Sequence, residues 1–184
     1  MASRLVHGLW VLVFLAMLLP SSTSANAIYQ YSGNLFDTFS GTGYDSSMSI
    51  FGQFELAAPL GSNLPLTDIT ASIISYSFSD GLVTLTDGNS TIIHVQVATG
   101  GVGEIVGPWD FWVETPDHYL RTVADGDPFG AIDEAINFLT SAGASVADNR
   151  GTWSIVPEPS TAILLGWGCV GFAIARRDRR PTRR

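Results

Sequence analysis

Two apolar runs set the limits of what this chain can fold into. Gly8 to Leu19 lies near the N-terminus and Thr161 to Ala175 near the C-terminus, leaving residues 28–156 to build a globular body. The first run follows Arg4 and His7 and leads into Pro20, a Ser/Thr stretch and Ala25-Asn26-Ala27. A basic segment, a short apolar segment and an A-x-A site together define a secretory signal peptide. Residues 1–27 are therefore read as signal, cut by signal peptidase after Ala27. The apolar run is too short for a retained membrane anchor.

The C-terminal run is a different object. Ser160 to Ala175 spans 16 residues, about 24 Å of helix at ~1.5 Å per residue. That is short against a hydrocarbon core of about 30 Å. Interfacial Trp167 and snorkelling arginine stems extend its reach. The last nine residues hold six Arg and one Asp, so Arg176, Arg177, Arg179 and Arg180 keep this end cytoplasmic by the positive-inside rule. On the other side, Pro157 and Pro159 cannot continue a helix and hold Val156-Pro157-Glu158-Pro159-Ser160 extended. An extended peptide just outside a membrane is what a protease needs.

A Pro-Glu-Pro motif, one apolar helix and a basic tail, in that order, closely resemble the PEP-CTERM sorting signal of Gram-negative bacteria. The resemblance runs from about Val156 onward and sets residues 157–184 apart as a sorting signal. It implies processing at the cell envelope by an exosortase, a membrane protease-transpeptidase, and an association with exopolysaccharide or biofilm matrix. Physics alone would favour a plain, uncut C-terminal anchor; the Pro-Glu-Pro motif reverses that preference.

The body between the signals has the length of one ordinary domain. Its composition excludes several chemistries. The chain's one cysteine, Cys169, lies in the tail, so the body has no disulfide, thiolate metal site or cysteine nucleophile. Residues 28–156 carry 15 Asp+Glu against Arg121 and Arg150, and the chain has no lysine. Nucleic-acid binding depends on Lys and Arg at phosphates, so it is excluded as a partner. Like-charge repulsion keeping the domain soluble is the simplest use of this surface.

Strand chemistry dominates: Ile, Val, Thr, Phe, Tyr, Ser and Gly, with few helix formers. Met48 to Leu56 alternates, with Ile50, Gly52, Phe54 and Leu56 on one face. Ile69 to Phe78 places Ile74, Tyr76 and Phe78 together. Asp80-Gly81 and Asp87-Gly88-Asn89 are turn signals, predicting an antiparallel meander of strands around 71–79, 82–86 and 91–98. In the last of these, Ile93, Val95 and Val97 face the core while His94 and Gln96 face water. Further strands are expected at Ile28 to Tyr31, Trp109 to Val113, Tyr119 to Val123 and Gly151 to Ile155. One helix is predicted, capped by Asp127 with Pro128 at its first position and Phe129, Ile132, Ile136 and Leu139 as its apolar stripe. The expected fold is mainly β: an antiparallel sandwich of about eight strands with one short helix, followed by the C-terminal transmembrane helix.

No catalytic signature stands out. G-x-S-x-G, the P-loop and G-x-G-x-x-G are absent. Gly100-Gly101-Val102-Gly103 follows a strand and reads as a turn. His94 and His118 lie in different segments, and loop or surface histidines are the default. Asp125, Asp127 and Asp133 match part of a calcium loop, with Gly130 at its sixth place. Phe129 and Ile136 occupy the fifth and twelfth places, where ligands belong, so helix capping is the better account. No metal and no cofactor are expected. Trp109, Phe111, Trp112 and Tyr119 form an aromatic cluster in which alternation puts Trp112 on the opposite face from Trp109 and Phe111. The sequence thus points to a non-enzymatic, exported envelope or matrix protein. The alternative, a carbohydrate-binding or glycoside-hydrolysing module, requires a groove lined by Trp109 or Trp112 with carboxylates nearby.

Overall fold

A computed structural model describes residues 26–124 and 130–156. These residues form two antiparallel sheets packed face to face, with almost no helix. The five-stranded sheet is built from β1 (Ala27–Leu35), β3 (Ser49–Leu56), β5 (Ile73–Ser79), β6 (Thr84–Thr86) and β12 (Thr152–Val156), in the order β12-β1-β3-β5-β6. The seven-stranded sheet takes β2 (Thr38–Ser40), β4 (Thr67–Asp68), β7 (Thr91–Thr99), β8 (Ile105–Thr115), β9 (His118–Ala124), β10 (Ile132–Asn137) and β11 (Ala142–Ala147). Its order is β2-β11-β10-β9-β8-β7-β4. The one helical element described is a single 3-10 turn, Thr70–Ser72.

Alternation produces the core, because successive side chains point to opposite faces. Tyr29, Tyr31, Ile50, Phe54, Tyr76 and Phe78 from one sheet meet Val95, Val97, Trp109, Phe111, Val113 and Leu120 from the other. Trp153 of β12 lies within ring contact of Tyr31, Phe54, Phe78, Trp109 and Phe111. Register explains how an edge strand reaches so far inward. Trp153, Tyr31, Gly52 and Phe78 share one row across four strands, and a Cβ at Gly52 would strike the Phe78 ring. The missing side chain at Gly52 is the space the aromatic rings fill.

Several expectations need correction. The helix beyond Asp127 is not formed: Ile132–Asn137 is β10, paired along its length with both β9 and β11. The three- and four-residue spacing of Ile132, Ile136 and Leu139 was misleading. Asp133 and Ala135 point inward while Leu139 lies exposed in the turn that follows. Asp127, Pro128 and Phe129 lie outside the described residues. The described residues hold 12 strands rather than about eight, several of them only two or three residues long. The meander is half right. β5 and β6 pair, but after Asp87-Gly88-Asn89 the chain crosses to the other sheet, where β7 pairs with β8 and β4. Irregularities in register turn Ile74 and Ile93 outward, one between Glu55 and Leu56 and one between Ile92 and His94. A bulge shifts every later side chain by one place, which alternation alone does not reveal. The expected transmembrane helix falls on residues outside those described, among which no helix is long and apolar enough to cross a membrane.

Candidate functional site

The outer face of the seven-stranded sheet gathers most of the chemistry-bearing side chains. Cross-strand register sets His94, Trp112, Arg121, Glu134, Ser145 and Thr38 in one row over six strands. Arg121 holds Asp110 with two hydrogen bonds, Nε to Oδ1 at 3.1 Å and Nη2 to Oδ2 at 2.8 Å. His94 Nε2 lies 3.0 Å from the same Oδ2. Partial burial alone would raise the Asp110 carboxyl, but the bonds from Arg121 and His94 outweigh it and hold the group below its ordinary range. The guanidinium also sits over the Trp112 ring, 5.8 Å from its centroid. Trp112, Tyr119 and Phe138 continue as a line of rings with centroids 6.1 and 6.0 Å apart. Tyr119 donates to Glu134, and partial burial together with that carboxylate raises the phenol.

This face presents rings and ion pairs rather than a reacting pair of acids. Asp110 is taken up by Arg121 and His94, and Glu134 accepts from Tyr119. Beside Glu134 lies a shallow depression of about 120 Å³ lined by Thr38, Ser40, Ile136, Gly143 and Ser145. The rings are tilted against one another, by 51° between Trp112 and Tyr119 and 32° between Tyr119 and Phe138, and are flanked by hydrogen-bonding groups.

Two polar centres are buried. In one, Asp80 follows β5 and is fully enclosed. Its Oδ1 accepts from the backbone amides of Leu82 and Val83 at 2.9 and 2.8 Å. Its Oδ2 accepts from Tyr44 at 2.5 Å and lies 2.7 Å from His118 Nε2. The Asp–His pair has the form of a base and its orienter. Its Nε2 is spent on the aspartate, however, and Nδ1 is enclosed with no hydrogen-bond partner among the described residues. What the cluster does is tie the loop before β3, the β5–β6 turn and the start of β9 together.

The second centre lies between the sheets. Trp109 Nε1 donates to Thr122 Oγ1 at 3.1 Å, Thr122 donates to Tyr31 at 2.7 Å, and Tyr31 donates to Asp133 Oδ1 at 2.6 Å. Asp133 Oδ2 has no hydrogen-bond partner among the described residues. Burial dominates the titration of this carboxyl and pushes it up to about 6, against the lowering influence of Thr122, Tyr31 and the Asn34 backbone. The neighbouring Tyr31 phenol is raised, first by burial and then by the Asp133 charge.

Structure thus separates the residues singled out by sequence. Trp109 and Phe111 are core, while Trp112 faces outward beside Asp110 and Glu134. His94 is on the outer face as expected; His118, expected at a loop or surface, is buried. Asp133 of the calcium-like segment is committed to Tyr31, and Asp125 and Asp127 lie outside the described residues. No cluster of three metal-ligating side chains occurs among the described residues. Ala27 is the first residue of β1, buried opposite Leu56. Ala25, Pro157, Glu158, Pro159 and the arginines Arg176, Arg177, Arg179 and Arg180 lie outside the described residues. Sequence reasoning passed over Asp80 and Tyr31, because their partners are 38 and 102 residues away. In comparisons with known proteins, the chain matches no family model, no curated sequence and no solved structure.

Proposed function

We propose that the protein is an exported cell-envelope or extracellular-matrix component, non-catalytic, delivered by its N-terminal signal and sorted through its C-terminal Pro-Glu-Pro segment by an exosortase. The observation that supports this reading is that β1 and β12 lie side by side. β1 begins at Ala27, β12 ends at Val156, and Ile28 is paired with Val156 on neighbouring strands. The first and last described strands are thus neighbours in one sheet, with Ile28 next to Val156. Cleavage after Ala27 would take the first residue of β1, paired with Leu56, but leave every β1–β12 pair from Ile28 to Ser32 in place. Pro157, lacking an N–H, follows directly where β12 stops.

In the native host, wild-type protein is expected to start at Ile28 and to lack the mass of the C-terminal tail. Replacing Pro157, Glu158 and Pro159 by alanine should leave an uncut, membrane-bound form, since the helix and arginines remain. Intact mass and membrane fractionation of the two proteins decide the matter. If both are full-length and membrane-retained, the tail is an anchor and the sorting reading fails.

One observation favours a second reading, a carbohydrate-binding face. Trp112, Tyr119 and Phe138 form an outward line of rings beside hydrogen-bonding side chains. On that reading, Trp112→Ala should weaken retention on the host's own exopolysaccharide by at least tenfold in a co-sedimentation assay, while leaving the fold intact. Unchanged retention removes this reading and leaves the first standing.

A further inference from the structure

Among the described residues the sandwich has four edge strands, and one of them differs in kind. β2 and β6 are three residues long, and β4 is two residues with Asp68 in it. Short length and charge are how proteins keep sheet edges from pairing with other chains. β12 has five residues, Thr152-Trp153-Ser154-Ile155-Val156, with no charge and no proline. Its pairing with β1 runs through five registered pairs without a bulge, and β1 itself, Ala27–Leu35, carries no charged side chain. Among the described residues no strand pairs with the outer side of β12, and an open edge with such strand chemistry is a template for strand addition.

We propose that β12 pairs with β12 of a second copy of this chain, joining two five-stranded sheets into one of ten strands. The occupant follows from charge and from self-complementarity. With 15 Asp+Glu against two Arg in residues 28–156, two copies repel over most of their surface. The uncharged β1–β12 ribbon offers an approach without facing carboxylates. A two-fold axis through Ser154 places Trp153 opposite the partner's Ile155 on the core side. On the outer side it places Thr152 opposite the partner's Val156. The aromatic–β-branched pair is a favourable cross-strand combination, and it occurs twice by symmetry. Trp153 and Ile155 are packed against the core yet only partly buried, so pairing removes further apolar surface from water. The inference rests on the edge itself and does not depend on how the terminal segments are processed.

Disulfide trapping in the full-length chain tests it. Cys169→Ser first removes the natural thiol. Ser154→Cys then places two thiols across the axis, where Cα atoms of directly opposed residues are about 4.5–5.5 Å apart, inside the range a disulfide spans. Gln30→Cys is the control. Gln30 is exposed and lies beside Ser154 on the neighbouring strand, three strand spacings or about 14 Å from its counterpart in the dimer. Mild oxidation of detergent-solubilised protein should give at least tenfold more covalent dimer from Ser154→Cys than from Gln30→Cys. Ser154→Glu, which puts two carboxylates on the axis without entering the core, should halve the mass measured by light scattering. Equal trapping at both sites overturns the proposal, as does a monomeric mass for the unsubstituted chain. Trapping of Ser154→Cys to a different protein overturns it too, and would assign the edge to a heterologous partner.

Discussion

Raising the pH from 4 to 7 should cost the folded protein about 3 kcal/mol through one side chain, Asp133. The group is buried between the sheets, with one oxygen bonded to Tyr31 and the other without a hydrogen-bond partner among the described residues. Its carboxyl is pushed from an ordinary 3.8 up to about 6, chiefly by burial. Between those values the folded state holds a proton that the unfolded state has released. Stability from this group is therefore fully present below pH ~4 and is lost as the pH rises through about 6. A shift of about two pKa units corresponds to about 3 kcal/mol at ~1.36 kcal/mol each. Asp133→Asn has the shape of the protonated acid and no charge to release. Denaturant unfolding at a series of pH values should give near-equal stabilities for the two proteins at pH 4. The variant should lead by about 2–3 kcal/mol at pH 7. Mutual repulsion among the other carboxylates acts on both proteins alike, so the difference between the curves is the quantity to read. A difference that stays constant from pH 4 to 7 would mean Asp133 is ionised in the fold.

How much of this was legible beforehand depends on distance along the chain. The faces of β3 and β8 follow from alternation over a few residues, and Asp80-Gly81 marks the β5–β6 turn. Alternation failed at Ile74 and Ile93, where a register shift of one residue sends the side chain to the wrong face. Such shifts are settled by the partner strand, which the local pattern does not contain. Ile132 and Ile136 of β10 fit a helical stripe. The deciding fact is that β9 and β11 are available to bond both of its edges. Propensity is a weak prior against two complete ladders of hydrogen bonds. The outward Trp112 followed from its parity with Trp109, but its companions did not. Arg121, Asp110 and Glu134 come from three strands, and only the sheet order puts them side by side.

The same limit hid Asp80, and Asp80→Ala should lower stability by about 3–5 kcal/mol, the cost of breaking a buried ionic cluster by removing one partner. Four donors converge on this carboxylate: two backbone amides of the β5–β6 turn, the Tyr44 hydroxyl and His118 Nε2. Alanine strands all of them in a site closed to water. Asp80→Asn separates the two halves of the cluster. Its oxygen still serves the Leu82 and Val83 amides, so the turn survives. Its amide nitrogen, however, faces Tyr44 and His118 as a donor where an acceptor is needed. If His118 gives up the Nε2 proton to accept that bond, the proton moves to Nδ1, which has no partner among the described residues. Asparagine is therefore expected to cost about 2 kcal/mol, an unsatisfied buried group's worth, and less than alanine. Burial tends to raise the Asp80 carboxyl, but the bonds from His118, Tyr44, Val83 and Leu82 prevail and hold it below the usual value. Its contribution is thus present above the unfolded value near 3.8 and is lost as the pH falls through the lower folded value. Asp133 weakens the fold on the alkaline side and Asp80 on the acid side, so these two groups together place the stability maximum at about pH 4. Removing Asp80 should flatten the acid limb and leave the alkaline limb in place, as read by denaturant unfolding across the range. An Asp80→Ala protein within about 1 kcal/mol of wild type, inside the range of an ordinary single hydrogen bond, would show that the cluster does not hold the two sheets together.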